Sequence, residues 1–533
     1  MVLLFVALLP IAVLTARAMF QSWVPLGDQA TIALRVIEVG TSHTPLLGPY
    51  SRFGWSHPGP LLFYALALTY RVTANRVDGL LLGVLLINAL ALIVITRVLL
   101  RRGGITIAAL GIAFFGLAMW SIGTSFLWYP WNPTVALLPF AATLVLTWAV
   151  SCGSTRAIPV LAAAASFLVQ THVEYTPLVA GFVACAVIGF WRSRQVPVDP
   201  QRERTPPPLR RALLATAAVL VVAWLPPAVD AAIHGGGNLR DLIRFGFNNH
   251  HTLGMSSAAK IMGLELSLRA PWLGFHEPLS ALFQGGVAPN GSPIPAGLIV
   301  LLFATTLAGR RHDRQALRLC LIVLVSLGIS TFSVANIVGT PYPYLIYFLR
   351  ILAAASWLAA TWTFLRALQA RLPTQAERLW PFVVPGVSVA AAAIVTVVLT
   401  WSAVSAGVSP SDDHASSEAL AHLMPTVLKM AEYRRGPVLV DASSSFGGIG
   451  FRSGLMFQLE QHGVAARTPK AAAFMYGSHY TDVGHVQATL LIAVDDSEIA
   501  AAHDAGAQLL AEYRQPPPYA TLVQPLHLAI FRE

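Results

Sequence analysis

The stretch "LLLGVLLINALALIVITRVLLRRGG" (80–104) decides the class of this protein. An α-helix of about twenty apolar residues crosses the hydrocarbon core of a bilayer, and this run is that long before its arginine pair ends it. Similar runs recur along the 533 residues, of which 55% are hydrophobic and only 11% charged. Soluble domains carry roughly 25% charged residues. The chain is therefore expected to be a polytopic α-helical membrane protein.

Eleven apolar segments are predicted to span the membrane. They lie near 2–19, 78–98, 104–120, 134–150, 157–171, 176–191, 212–229, 293–309, 318–335, 345–366 and 380–402. The apolar segment 59–71 is too short to cross a bilayer. We expect it to form a helix that lies along the membrane surface.

The arginine distribution predicts the orientation. With 59–71 at the surface, the arginine-rich loops at 101–104, 191–211, 309–318 and 366–378 fall on one side, and the opposite loops at 121–133 and 171–177 carry no Lys or Arg. Basic loops stay in the cytoplasm, so the N-terminus is expected inside and the C-terminus outside. Because the net charge of +10 is spread over such loops, it does not indicate a nucleic-acid partner.

Two domains are expected. Residues 1–404 form the transmembrane domain, with outer loops at 20–77 and 230–292, and residues 405–533 form an extracytoplasmic domain. In the latter, strand-like runs such as "TLLIAV" (489–494) alternate with amphipathic stretches such as "SGLMFQLEQHG" (453–463). That alternation predicts a small α/β domain.

The first outer loop holds an acidic residue directly after the first span. The run "DQATIALRVIEVG" (28–40) has the apolar spacing of a short helix on the membrane, and Asp28 is predicted to be its N-cap. Further along, "GPYSRFGWSHPGPLLFY" (48–64) places Arg52 and His57 among prolines and glycines.

This arrangement resembles the GT-C superfamily of membrane glycosyltransferases. The shared features are a first span, an acidic residue in a long outer loop of juxtamembrane helices, and a His-Pro segment (57–58) before the second span. The resemblance implies a polyprenyl-phosphate-linked sugar donor and an acceptor in the cell envelope, as in bacterial protein mannosyltransferases, aminoarabinose transferases and actinobacterial arabinosyl- and mannosyltransferases. Many members have two adjacent acidic residues here, whereas this chain has Asp28 followed by Gln29.

The chemistry of such a transfer fits a single carboxylate. Phosphate leaves readily, so the reaction needs one base for the acceptor hydroxyl and no strong general acid, whereas a glycosidase uses two carboxylates. An aspartate is ordinarily ionised at neutral pH. Asp28 is therefore the predicted base.

Cations at the departing phosphate are the second requirement. Arg350, in the run "GTPYPYLIYFLRILAAASW" (339–357), lies one to two turns inside the tenth span. A guanidinium binds phosphate bidentately, so Arg350 is the predicted phosphate ligand and Arg52 the second candidate. The alternative for Arg350 is a buried pair with Asp28 or Glu174, or extension of its side chain to the surface.

A further set of outer-surface residues is predicted to bind the substrates. It comprises His57, His172, Glu174, Tyr344 and Asn132. Ordinary hydrogen bonds, or membrane-interface belts for the aromatic residues, are the alternative interpretations. No metal site is assigned, although a divalent metal on Asp28, His57, His172 and Glu174 stays an open alternative.

Two other functions stay open at this point: a transporter or flippase of lipid-linked sugars, and a non-catalytic envelope scaffold. The spans are largely apolar at mid-depth and the ionisable residues gather at their outer ends. That pattern favours chemistry at one surface over transport. We therefore expect a multi-pass plasma-membrane glycosyltransferase, surrounded by membrane lipids, whose sugar, acceptor and linkage the sequence leaves open.

Overall fold

A computed structural model describes residues 1–21, 23–195, 208–248, 250–274, 293–406, 411–429, 436–481, 484, 486–515 and 526–532. Its helices are α1 Val2–Ala18, α2 Gly27–Ile37, α3 Leu61–Val72, α4 Asp78–Ile122, α5 Asn132–Val135, α6 Leu137–Ser151, α7 Ala157–Thr171, α8 Thr176–Arg194, α9 Leu209–Ile233, α10 Gly237–Phe247, α11 Met255–Glu265, α12 Ala296–Arg310, α13 Arg314–Ala335, α14 Phe348–Gln369, α15 Thr374–Ser405, α16 Ser411–Leu428, α17 Phe446–Gln461, α18 Ala473–Tyr476 and α19 Asp496–Asp504.

The helices confirm a polytopic membrane protein. Among the described residues, seven are long and apolar enough to cross a bilayer, and the longest, α4, has 45 residues. Gly104, at φ +78°, interrupts α4 and separates two predicted spans. Helix α4 therefore accounts for two predicted spans, and the other six long helices account for six more. The shorter apolar helices α1, α7 and α12, of 15 to 17 residues, match the remaining three of the eleven predicted spans. The remaining short apolar helix, α3, is the one expected at the membrane surface.

The C-terminal residues form the expected α/β fold. The strands are β1 Val438–Ala442, β2 Ala466–Arg467, β3 Ala488–Ala493, β4 Gln508–Arg514 and β5 His527–Arg532, in the sheet order β2-β1-β3-β5-β4. β1 is parallel to β2 and β3, with Val440 opposite Leu490, whereas β5 is antiparallel to β3 and β4. Helix α17 covers β1 and buries Leu455, Met456 and Phe457 completely.

The described chain packs into two compact units. The first comprises Met1–Thr15, Leu85–Leu127 and Asn132–Ser405, and the second Ala16–Val84, Trp128–Trp131 and Ala406–Glu533. The expected boundary near 404 therefore separates the last membrane helix from the sheet, and the first outer loop packs within the second unit together with the sheet. Residues 275–292 of the expected outer loop 230–292 lie outside the described residues.

Aromatic packing organises the first unit around α6. The ring of Phe140 lies 5.3 Å from Tyr175, 5.7 Å from Phe182 and 6.0 Å from Phe348, centre to centre. All of α6 is buried, so its apolar surface is covered by other helices of this unit and contributes the hydrophobic term that holds them together. The same aromatic cluster supports a pocket described below.

Candidate active site

Asp28 lies in the first turn of α2, which begins at Gly27 with φ +48°. The predicted N-cap role is wrong, because the N-cap residue is Leu26 and the first turn has no side-chain cap. The Asp28 carboxylate instead faces other segments of the second unit. The N-terminal end of a helix carries a partial positive charge, which attracts an acidic side chain in the first turn.

Two donors fix the Asp28 carboxylate. The hydroxyl of Tyr50 donates to Oδ1 at 2.5 Å, and the indole Nε1 of Trp131 donates to Oδ2 at 2.8 Å. Each carboxylate oxygen can accept a further hydrogen bond. The arrangement therefore orients a carboxylate and leaves it able to accept a hydrogen bond from a hydroxyl group of a ligand.

Residues 48–57 form a tight hairpin that presents Tyr50. The amide of Gly48 donates to the carbonyl of His57 at 2.9 Å, and the His57 amide donates to Pro49 at 2.8 Å. Gly54, at φ +85°, makes the turn at the tip. This polar hairpin thus holds Tyr50 in position for its hydrogen bond to Asp28.

The predicted ligands in this hairpin occupy different environments. His57 is buried and its ring lies edge-on to Trp55 at 5.5 Å. Arg52 is exposed at the tip, with its guanidinium 4.9 Å from the ring centre of Phe53. Substrate binding by His57 and phosphate binding by Arg52 stay predictions.

The segment "WYPW" (128–131) holds the start of α2 from another direction. Trp128 is fully buried, the hydroxyl of Tyr129 accepts a hydrogen bond from Gln29, and Trp131 donates to Asp28. The sequence analysis did not predict this supporting role. Tyr50 and Trp131 were likewise absent from the predicted site residues.

Helix α17 packs closely against the chain that leads into α2. A side chain on Gly454 would meet the Leu26 side chain at 2.6 Å and the Pro25 carbonyl at 3.0 Å. Nearer the start of the helix, a side chain on Gly450 would lie in ordinary contact with the Gly27 amide, at 3.9 Å. The close approach at Gly454 leaves no room for a larger residue, so α17 helps to set the position of the chain that leads to Asp28.

Tyr476 connects this packing to the electrostatics of the site. Its hydroxyl shares a 2.7 Å hydrogen bond with Ser453. Burial raises the pKa of Tyr476, the nearby Arg452 charge acts to lower it, and the Asp28 charge acts to raise it. Residues of the C-terminal domain therefore form part of the surroundings of Asp28.

In the first unit, three predicted substrate-binding residues line one pocket. Its lining is Pro133, His172, Glu174, Tyr175, Tyr344, Leu345 and Phe348. Tyr344 stacks on Tyr342 with ring centres 5.7 Å apart, and the Nδ1 of His172 lies 3.8 Å from the Glu174 carboxylate. The pocket thus combines aromatic surface with a carboxylate, and substrate binding by His172, Glu174 and Tyr344 stays a prediction.

His172 and Asn132, at this end of the first unit, are both buried. Burial lowers the pKa of His172 to about 4, so its imidazole is neutral at physiological pH. The amide of Asn132 donates to the carbonyl of Thr171 at 3.3 Å. Asn132 thereby joins α5 to the end of α7, and its predicted contact with a sugar stays a prediction.

Arg350 is buried in an ion pair with Glu265. Its Nε lies 3.7 Å from Glu265 Oε1, and both side chains are no more than 5% exposed. Its Nη1 also donates to the carbonyl of Ser121 at 2.6 Å, and its guanidinium lies 5.4 Å from the ring centre of Tyr347. The alternative partners Asp28 and Glu174 are therefore wrong, although the expectation that Arg350 needs a partner is correct.

Glu265 is a further residue that sequence reasoning missed. Burial raises its pKa to about 7, although the Arg350 charge acts to lower it. The second carboxylate oxygen, Oε2, has no hydrogen-bond partner among the described residues. From the sequence, one could infer only that a buried arginine needs a partner. That inference does not identify Glu265 as the partner.

No group of three or more His, Cys, Asp or Glu side chains within the described ranges converges in a way that would hold a metal ion. His57 belongs to the second unit, whereas His172 and Glu174 belong to the first.

Comparisons with known proteins identify the fold. No protein-family profile and no curated protein sequence matches the chain. Two solved structures of ArnT from Cupriavidus metallidurans do match in three dimensions. The structure bound to undecaprenyl phosphate is 13% identical, with TM-score 0.52, over 99% of this chain and 96% of that chain. The apo structure is 14% identical, with TM-score 0.56, over 100% and 96%.

A similarity at this level of identity concerns the fold. ArnT is a GT-C aminoarabinose transferase, and the match extends over nearly the whole of both chains. The chain therefore has the GT-C fold, as its first outer loop had suggested.

Proposed function

We propose that this GT-C-fold protein is a glycosyltransferase that moves a sugar from a polyprenyl-phosphate donor to a hydroxyl group of a cell-envelope glycan, glycolipid or protein. The reaction takes place at the outer face of the plasma membrane, with Asp28 as base. The observation that carries the proposal is the Asp28 carboxylate, oriented by Tyr50 and Trp131 at the start of α2.

The proposed step is a single displacement. The acceptor oxygen attacks the anomeric carbon of the sugar, Asp28 takes the hydroxyl proton, and the bond to phosphate breaks with its electron pair on the phosphate. Proton transfer to a positioned base contributes about 10²- to 10⁴-fold to such reactions. One carboxylate is sufficient, because phosphate needs no acid to leave.

The donor class is supported by the fold and by the available cations. The ArnT structure that the chain resembles has undecaprenyl phosphate bound. In this chain we assign the phosphate to Arg350, with Arg52 as the second candidate. Arg350 has further N–H groups besides those directed at Ser121 and Glu265, and a bidentate contact with phosphate uses two of them.

The pocket of the first unit is the proposed sugar-binding region. Tyr344 offers an aromatic face, and the Glu174 carboxylate, 40% exposed, is available to accept hydrogen bonds from sugar hydroxyl groups. The neutral His172 adds one donor and one acceptor. His57 and Asn132 are proposed as further substrate-binding residues.

The proposal is tested by replacing the base. Wild type, Asp28→Asn and the matched control Asp504→Asn, an exposed residue of α19, are used to complement a deletion strain, and the envelope sugars are analysed. We expect a sugar component that is lost on deletion to return with wild type and the control, and not with Asp28→Asn. Equal rescue by all three, at equal protein levels in the membrane, would reject Asp28 as the base.

A binding measurement separates donor recognition from catalysis. Purified Asp28→Asn is expected to bind undecaprenyl phosphate as wild type does, whereas Arg350→Gln is expected to bind it at least tenfold more weakly. If the wild-type protein does not bind this lipid, the proposed donor class is wrong.

A further inference from the structure

Helix α10 differs from the other helices of the first unit in having no buried residue. It follows the membrane helix α9 after only three residues, 234–236, in which Gly235 and Gly236 adopt φ of +60° and +71°. Those conformations suit glycine and turn the chain sharply at the end of a span. Helix α10 therefore begins at the level where the chain leaves the membrane.

The side chains of α10 divide into separate arcs. Asn238, Leu242 and Phe245 are half-buried, so they form the arc that faces the protein. Leu239, Ile243 and Phe247, spaced four residues apart, are 57%, 51% and 88% exposed. Residues at this spacing lie on one face of a helix. An uncovered apolar stripe thus runs along the whole of α10.

Two arginines lie beside this stripe. Arg240 and Arg244 each follow an apolar residue by one position and are exposed. On a helix this offset places them at the border of the apolar arc, on the side opposite Asn238. Arginine at that border, with Phe and Leu on the apolar face, is the composition of helices that lie in the membrane interface.

The preceding span provides continuity with the lipid. Helix α9 exposes Leu225 by 57% and Ile233 by 67%, and such surfaces on a span face acyl chains. The apolar stripe of α10 starts six residues after Ile233. We therefore expect the apolar stripe of α10 to contact the same bilayer, at the depth where acyl chains meet phosphate groups.

We propose that α10 is an interfacial anchor: Leu239, Ile243 and Phe247 insert into the acyl boundary, and Arg240 and Arg244 bind the phosphate groups of anionic phospholipids. This interaction is independent of the glycosyl transfer proposed above. It gives the enzyme a fixed contact with the lipid surface next to the end of α9.

The insertion is tested by spin labelling in vesicles of phosphatidylglycerol and phosphatidylcholine. In a background in which the three native cysteines (Cys152, Cys185 and Cys320) are replaced by serine, labels are attached after Leu239→Cys, Ile243→Cys, Phe247→Cys or, as a control on another arc, Asp241→Cys. We expect collisions with oxygen to dominate at the three apolar positions and collisions with a water-soluble nickel chelate at 241. Dominant nickel collisions at all four positions overturn the proposal, and so does protection from both reagents at the apolar positions, because this indicates a protein partner.

The arginines are tested by lipid selectivity. Bound phosphatidylglycerol is counted by native mass spectrometry for wild type, Arg240→Gln/Arg244→Gln and the control Arg310→Gln/Arg311→Gln, which removes the same charge at the C-terminal end of α12. Each interfacial arginine is expected to contribute about fivefold to affinity. Loss of selectivity in the α10 variant alone supports the proposal, whereas equal selectivity in the three proteins overturns the phosphate contact.

Discussion

Tyr50 donates a 2.5 Å hydrogen bond to the carboxylate of Asp28, a residue 22 positions earlier in the chain. The helix start and the hairpin are thereby joined at the one carboxylate that the proposed reaction uses. The bond orients the Oδ1 atom, and Trp131 orients Oδ2. Its contribution can be measured separately from that of the carboxylate itself.

Tyr50→Phe removes the hydroxyl and keeps the ring that packs against Phe474. A hydrogen bond to a charged group is worth about 1.5–3 kcal/mol, so we expect kcat for transfer to fall about 10- to 100-fold. The control Tyr513→Phe, on β4, should leave kcat unchanged. Full activity of Tyr50→Phe in a purified assay would mean that this bond has no role in the reaction.

Gly454→Val tests whether α17 positions the start of α2. The added side chain would collide with Leu26 and with the Pro25 carbonyl, and overpacking of this kind costs about 1–3 kcal/mol. We expect lower transfer activity together with a lower unfolding temperature. Gly328→Val, in a helix where the added atom meets nothing within 4 Å, is the control and should change neither.

Glu265→Gln tests the cost of the buried carboxylate. Its pKa in the folded protein, about 7, is above the ordinary value of 4.5, so its contribution to stability is complete below pH 4.5 and is lost as the pH rises through 7. We expect the variant to match wild type at pH 4 to 5 and to be more stable at pH 8, by up to about 3 kcal/mol. Lower stability of the variant at pH 8, in thermal or denaturant unfolding, would show that attraction to Arg350 exceeds the cost of burial.

His172→Gln should act in the opposite direction. The folded-state pKa of about 4 is below the ordinary 6.5, so the contribution of His172 is complete above pH 6.5 and is lost as the pH falls through 4. Wild type should therefore lose stability between pH 6.5 and 4 more steeply than the variant. The exposed His503→Gln serves as the control and should retain the wild-type slope; identical slopes in all three proteins would contradict the burial argument.

The membrane helices could be predicted almost helix by helix, because a span must contain enough apolar residues to cross the hydrocarbon core. By the same length rule, the 12-residue helix Leu61–Val72 was not counted as a span, and its place at the membrane surface stays a prediction. In the C-terminal domain, "TLLIAV" (489–494) largely coincides with β3 and "SGLMFQLEQHG" (453–463) with the second half of α17. Local apolar periodicity determines these elements, so a single sequence is sufficient to find them.

The contacts of the site could not be predicted in this way. Position 28 and position 131 are brought together by tertiary packing, and no periodicity connects them. An acid beside Arg350 was only the alternative to a phosphate, and on sequence grounds Asp28 and Glu174 were no worse choices than Glu265, the residue that pairs with it. The N-cap expectation for Asp28 failed because the helix begins one residue earlier, at Gly27, so that Leu26 is the N-cap and the Asp28 carboxylate accepts from Tyr50 and Trp131.

The second unit has a consequence for biogenesis. Arg35 donates to the carbonyl of Tyr476, a residue 441 positions later, and α17 packs on the chain before α2. A ribosome delivers α2 long before these partners exist, while the intervening spans are being inserted. The loop that carries Asp28, the proposed base, therefore cannot form these contacts until the C-terminal residues have been synthesised.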